Sequence, residues 1–166
     1  MAAGVKRNTK FVGDLSELRV MCEFVKFGYL VSVPFGENHR YDLVIEKDNV
    51  LSRVQVKTGR LRKGVVMFNC YSSHSHRNGP ACRPYTGEVE FIAVFCPDTD
   101  STYLLPISAI PVLRGMLRVS PAKNGQRKGL RWASDYILGK DAWPRAIEVG
   151  PTGPTAVPHA AGFAPS

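Results

Sequence analysis

Apolar residues recur at Phe11, Leu15, Leu18, Cys22, Val25 and Tyr29, an alternating spacing of four and three that marks one face of a helix. Gly28 is placed to end it. The period then shortens to that of strands. Leu30 to Pro34, Tyr41 to Glu46 and Val50 to Thr58 read as three of them, and Val65 to Tyr71 as a candidate fourth. Glu88 to Phe95 and Thr102 to Pro106 add two more, separated by the turn-forming Pro97-Asp98-Thr99-Asp100. Beyond Ser108 the pattern predicts a helix to about Leu117, with Pro111 in its first turn. A second short helix is predicted over Leu130 to Leu138. From Pro144 the chain is rich in Pro, Gly, Ala and Thr without periodicity, which predicts a flexible tail over 144–166 after a domain of residues 1–143. No internal repeat is present. A helix, a strand meander and further helices predict an α/β layered domain around a mixed sheet.

Alternation sorts the side chains of the two central strands. Asp42, Val44 and Glu46 share one face of their strand, and Leu51, Arg53, Gln55 and Lys57 share one face of the next. A two-residue turn at Asp48-Asn49 pairs Lys47 with Val50 and, carried back, Asp42 with Gln55, about 5 Å apart at Cβ. A three-residue loop would shift that register by one. Lys57 projects from the same side. Glu17 lies at the border of the first helix's buried face, in line with Met21 and Phe24.

These residue types suit one chemistry. Mg²⁺ takes hard oxygen ligands and keeps several waters, so one or two protein carboxylates suffice. Asp42 supplies an anionic oxygen, the Gln55 amide a neutral one, and the Val56 carbonyl a third. A lysine beside them can orient a nucleophile or stabilise charge on a phosphate in transfer. The bland alternative makes Gln55 and Lys57 the solvent face of an edge strand and Glu17 a solvated flank residue.

Composition narrows the partners. The 166-residue chain is 44% hydrophobic and 22% charged, ordinary for one globular domain with a real core. Its net charge of +8 favours polyanions. Basic residues cluster at Lys6, Arg7 and Lys10, at Arg60, Arg62 and Lys63, and at Lys123, Arg127, Lys128 and Arg131. The middle cluster follows the candidate site directly, which favours nucleic acid over an idle basic surface. No run approaches the roughly 20 apolar residues of a membrane span. The start lacks a signal peptide's apolar core, and the four cysteines form no C-x-x-C pair. Reduced, mostly buried thiols in a cytoplasmic protein are expected.

Three other constellations are weaker. Cys70, His74, His76 and Cys82 are zinc-type ligands, but their spacing matches none of the common structural zinc motifs. A basic DNA-contacting loop and a plain solvated loop both remain open there. Trp132 and Tyr136 either stack on bases or anchor a helix to the core, the second being the commoner use. Ser16 and His39 have neither a third orienting residue nor a nucleophile elbow.

Glu17 on a first helix, Tyr41-Asp42 on a strand and Gln55-Val56-Lys57 on the next resemble the PD-(D/E)XK nuclease superfamily. More narrowly, the chain resembles the branch typified by group I intron homing endonucleases of cyanobacteria, in which glutamine replaces the usual acid. The likeness runs from Gly13-Asp14-Leu15-Ser16-Glu17 through Gly28-Tyr29 and Val33-Pro34 to Val54-Gln55-Val56-Lys57-Thr58. It resumes at Tyr103-Leu104-Leu105-Pro106, at Asn124-Gly125-Gln126 and at Arg131-Trp132-Ala133. It implies a restriction-endonuclease-like αβ core and a Mg²⁺-dependent DNA endonuclease, with Mn²⁺ able to substitute. It makes Asp42 a metal ligand, Lys57 the catalytic lysine, Gln55 the stand-in for the second acid, and Glu17 the helix acid that completes the site. Double-stranded DNA becomes the expected partner and a homo-oligomer, dimer or tetramer, the expected assembly. Tyr41 stands where the pattern has proline, which leaves the metal chemistry untouched. Losing a charge at Gln55 weakens metal affinity, and Glu17 has to offset part of that. The competing readings are a DNA-binding protein of the same fold without catalysis, and a zinc-stabilised interaction module on the Cys70 to Cys82 loop.

Overall fold

A computed structural model describes residues 8–36, 38–76, 79–121 and 129–139. The first helix, α1, spans Thr9–Lys26. The Asn8 side chain accepts from the Lys10 N–H at 3.0 Å and caps its start. At its end Gly28 takes φ +82°, its N–H bonds the Val25 carbonyl, and the Tyr29 N–H reaches back to Phe24. Those two bonds close a Schellman motif, and the Tyr29 ring seals it edge-on against Phe24 at 5.2 Å.

Strands β1 (Leu30–Ser32), β2 (Leu43–Lys47) and β3 (Val50–Thr58) follow. Then come β4 (Arg60–Arg62), β5 (Val65–Asn69), β6 (Tyr71–His76), β7 (Gly79–Pro84), β8 (Phe91–Cys96), β9 (Ser101–Pro106) and β10 (Arg114–Arg118). Among the described residues the main sheet has the order β1-β2-β3-β8-β9, antiparallel except for the central β3–β8 pair. A second sheet, β10-β5-β4, and the β6–β7 hairpin form on the crossover between β3 and β8 and just after β9.

The main sheet is therefore covered on both faces. Val20, Phe24, Leu43, Ile45, Val54, Val56 and Phe91 form the core beneath α1. Val66, Phe68, Ile92, Val94, Leu105 and Leu117 form the core beneath the second sheet. Burial on both faces is why β8 reads Phe-Ile-Ala-Val-Phe-Cys without alternation. Gly59 sits where the chain leaves one sheet for the other. A Cβ there would lie 2.7 Å from Val66 and 2.9 Å from Val94, so no larger residue fits.

Several expectations are corrected. The stripe at Phe11, Leu15, Leu18, Cys22 and Val25 is the exposed face of α1, and only Tyr29 of that set is buried. The helix packs instead through Ser16, Val20 and Phe24, a shorter stripe interrupted by a serine. The predicted helix from 108 to 117 is a single 3-10 turn, Ile107–Ala109, followed by β10. Pro111 cannot continue a helix, and alternation at Gly115 and Leu117 suits pairing with β5. Leu130 to Leu138 contributes only the 3-10 turn Ala133–Tyr136, whose Tyr136 packs against the second core. The run from Val65 to Tyr71 is divided at Cys70 between β5 and β6, and the loop expected after it forms the β6–β7 hairpin. Of the cysteines, Cys70 and Cys96 are buried, but Cys22 and Cys82 are exposed. Lys123, Arg127, Lys128 and the tail from 144 lie outside the described residues.

Candidate functional site

Asp48 and Asn49 both take positive φ, 52° and 63°, so the β2–β3 connection is the two-residue turn whose twist matches the strands. Lys47 pairs with Val50 and Leu43 with Val54, which sets Asp42 opposite Gln55. β2 stops pairing at Leu43, leaving the Val56 N–H without a strand partner on that side. The Asp42 carboxylate takes it, accepting at 2.7 Å. The same oxygen accepts a short hydrogen bond from the Gln55 amide nitrogen. That amide also donates to the Val56 carbonyl at 3.3 Å. The carboxylate, the amide and a backbone carbonyl thus converge at one point.

β3 is central and Gln55 is only 8% exposed, which rules out the solvated edge-strand alternative. A buried glutamine needs partners, and Asp42 and Val56 are what it has. The amide nitrogen faces Asp42, whereas metal ligation needs the amide oxygen. Two oxygens would repel with no cation between them, so nitrogen takes that place, and a half-turn of the amide plane exchanges them.

Glu17 reaches the same region from α1. Ser16, 1% exposed, bonds the Val12 carbonyl at 2.9 Å and the Thr58 hydroxyl at 2.7 Å, which ties the helix to the end of β3. Glu17, half-buried next to it, is held above the ordinary carboxylate range by burial and then by the charges of Asp42 and Asp14, with Lys57 pulling the other way. Burial likewise raises Asp42, against the opposing effects of the Val56 N–H, the Lys57 charge and the Gln55 amide. The two acids and Lys57 share one electrostatic neighbourhood.

Two contributors escaped the sequence reading. Lys57 donates to the Tyr85 hydroxyl at 2.8 Å and lies 4.7 Å from the centre of that ring. The Arg40 guanidinium lies 4.5 Å from the same ring and bonds Glu88, Ser72 and the carbonyls of Arg83 and Pro84. Tyr85 thereby meets two cations, and its hydroxyl together with the ring fixes the lysine. Tyr85 follows the β6–β7 hairpin in a stretch with no strand period, so only the three-dimensional crossover brings it to Lys57.

Of the basic residues singled out, Arg60, Arg62 and Lys63 are exposed on and beside β4, and Lys10 is exposed on α1. Arg131 is exposed too and donates to the Ala109 carbonyl at 2.6 Å. Among the described residues no three His, Cys, Asp or Glu side chains gather as a metal site. The Asp42 centre has two acids, and its other donors are an amide and a backbone carbonyl. Such an all-oxygen set fits a hard divalent cation and not zinc. Burial pushes the Cys70 thiol up to about 11, the reverse of what a zinc thiolate needs.

A mixed sheet with a helix on one face, and an acid and a lysine meeting across its central hairpin, define a nuclease-type core. A sequence model of the PD-(D/E)XK endonuclease family matches residues 7–138. The chain belongs to that family and is a DNA endonuclease, in a family that generally uses divalent metal ions. No match was found among curated proteins. In fold it is similar to a bacterial homing endonuclease, I-Ssp6803I, at a TM-score of 0.64 and 24% identity, over 79% of this chain and 89% of that one. No helix among the described residues is long and apolar enough to cross a membrane.

Proposed function

We propose that the chain is a Mg²⁺-dependent endonuclease of double-stranded DNA, with Mn²⁺ able to substitute, that works as a homo-oligomer. Asp42, Glu17, the Gln55 amide oxygen and the Val56 carbonyl would hold the metal, which when bound acidifies its water and neutralises charge on the phosphate. The observation that carries this reading is the meeting of Asp42, just before β2, with Gln55 and Val56 on β3, with Lys57 two residues on from Gln55. Lys57 brings a cation beside Asp42 and Glu17, where it stabilises the negative charge that develops on a phosphate under attack. Tyr85 holds that ammonium group in place. Gln55 leaves one negative charge fewer beside Asp42, which lowers repulsion of the DNA phosphate and makes Glu17 necessary. The catalytic unit is residues 1–143, and the segment 144–166 is dispensable for cleavage.

Incubation of supercoiled plasmid with the protein and Mg²⁺ or Mn²⁺ tests the reading. The parent should nick or linearise the plasmid, and Lys57→Ala, a partly exposed position, should fold and fail to cut. A parent that binds plasmid but leaves it intact with either metal would establish the catalytically silent alternative.

A further inference from the structure

The second sheet turns Val66, Phe68 and Leu117 inward, so the residues between them point out. Across its strands Arg114 stands beside Asn69, and Met116 beside Met67, which in turn stands beside Arg60. A cleft of about 360 Å³ opens between Thr58, Arg60, Arg62, Met67, Asn69 and Arg114. A second of about 480 Å³ continues past Met67 to Met116 and Lys63. The outward rows contain cations, an amide, two thioethers and Val65, and no carboxylate. Such a face repels a second copy of itself and attracts a polyanion.

We propose that this face, at β5 and β10, reads base edges in the major groove of B-form DNA, while Arg60 and Arg62 on β4 hold the flanking phosphates. The proposal rests on the chain being a DNA endonuclease and names the surface that selects its site. A two-stranded ribbon enters the major groove, whose width of about 12 Å accepts neighbouring strands about 4.8 Å apart. Asn69 matches the donor and acceptor pair of adenine, and Arg114 can donate to the two acceptors of guanine, N7 and O6. Met67 and Met116 lie one strand repeat further on, about 6.8 Å away, which is two base-pair steps. Apolar contact at that distance suits the thymine methyl. Thr58, which lines the cleft, adjoins Lys57 on β3, so the reading surface begins one residue from the catalytic lysine. An A-form RNA duplex, with its deep and narrow major groove, offers no such entry.

The test is selection of bound duplexes from a random-sequence DNA pool by the full chain without divalent metal. The parent should enrich a motif with a purine two base pairs from a thymine. At the purine position only, Asn69→Ala should lose about 5- to 100-fold of the preference for adenine, and Arg114→Ala as much of that for guanine. Arg60→Ala/Arg62→Ala should keep the motif and lower the slope of log affinity against log salt by about 1.8. Duplex DNA glucosylated at 5-hydroxymethylcytosine, which fills the major groove, should bind at least tenfold more weakly, and so should duplex RNA. No enriched motif, the parental motif retained in Asn69→Ala and Arg114→Ala, or equal binding of glucosylated DNA or RNA would overturn the proposal. Because selection reads binding without metal, its failure is separate from a failure of the plasmid assay, which bears on catalysis.

Discussion

At the scale of the residue, Asp42 is held in tension. Its carboxylate is buried, yet it accepts from Val56 and Gln55 and feels Lys57. The raised pKa means that the fold disfavours the charged form, so this group's contribution to stability declines as pH rises from the unfolded carboxylate value through the folded one. Glu17 has the same sign, because burial and the Asp42 charge both raise it. Cleavage should therefore increase with pH through the range just above ordinary carboxylates, where both acids lose their protons. Asp42→Asn should abolish cleavage by loss of a metal ligand, and raise the melting temperature of the metal-free protein at pH 8. Mg²⁺ should raise the parent's melting temperature but not the variant's. Thermal melts with and without Mg²⁺ decide this, and a variant less stable than the parent would show that Asp42 is structural. Gln55→Glu should tighten metal binding in a titration while lowering the rate, since three carboxylates would then crowd one site. Tyr85→Phe keeps the ring near Arg40 and Lys57 and removes only the hydroxyl that accepts from Lys57. It should cut kcat about 5- to 20-fold with little change in KM, as loss of a positioning hydrogen bond does. Equal loss in Tyr85→Phe and Tyr85→Ala would point to something other than the ring contacts.

At the scale of the element, local chemistry was the legible part. The Asp48-Asn49 turn set the register of β2 on β3, and that register alone placed Asp42 opposite Gln55. Helix α1 and β3 were also readable as elements, the first from its helical spacing and Gly28, the second from its run of strand-forming residues. What the helix packs against was not readable, because an apolar stripe does not say which surface covers it. Ser16 shows why: a serine that bonds both Val12 and Thr58 fits the buried face without adding hydrophobicity. Ser16→Ala should cost about 1 kcal/mol by losing the Thr58 partner in a buried place. It should also lower cleavage, because Glu17 is the next residue. Denaturant unfolding read beside the plasmid assay checks both effects, and a loss of stability with full activity would separate α1 docking from Glu17 placement. Tyr85 and β10 were illegible for a different reason. Both depend on pairings between segments far apart in the chain, and short apolar runs near Pro111 suit helix and strand alike.

At the scale of the whole molecule, the stripe that is not core needs a partner. Phe11, Leu18 and Val25 are 63%, 56% and 62% exposed, and with Leu15 they line one side of an 18-residue helix. Their spacing of four and three is a heptad seam, and a seam of that kind is complementary to another copy of itself. One active site cuts one strand, so a double-strand break is most simply made by two sites related by symmetry. The seam supports that assembly from a direction independent of the chemistry. Leu18→Glu changes no core contact, because the residue faces outward, yet it places a charge in the middle of the seam. Sedimentation should show the parent as a dimer or larger and the variant shifted towards monomer. The variant should still nick one strand of supercoiled plasmid while linearising it at least tenfold more slowly. The reverse outcome, with Leu18→Glu sedimenting and linearising like the parent, would move the interface away from α1. Removal of residues 144–166 should leave both assembly and cleavage intact, since a stretch with so few apolar residues cannot supply the roughly 800 Å² per partner of an ordinary interface. Loss of either on truncation would extend the working domain beyond residue 143.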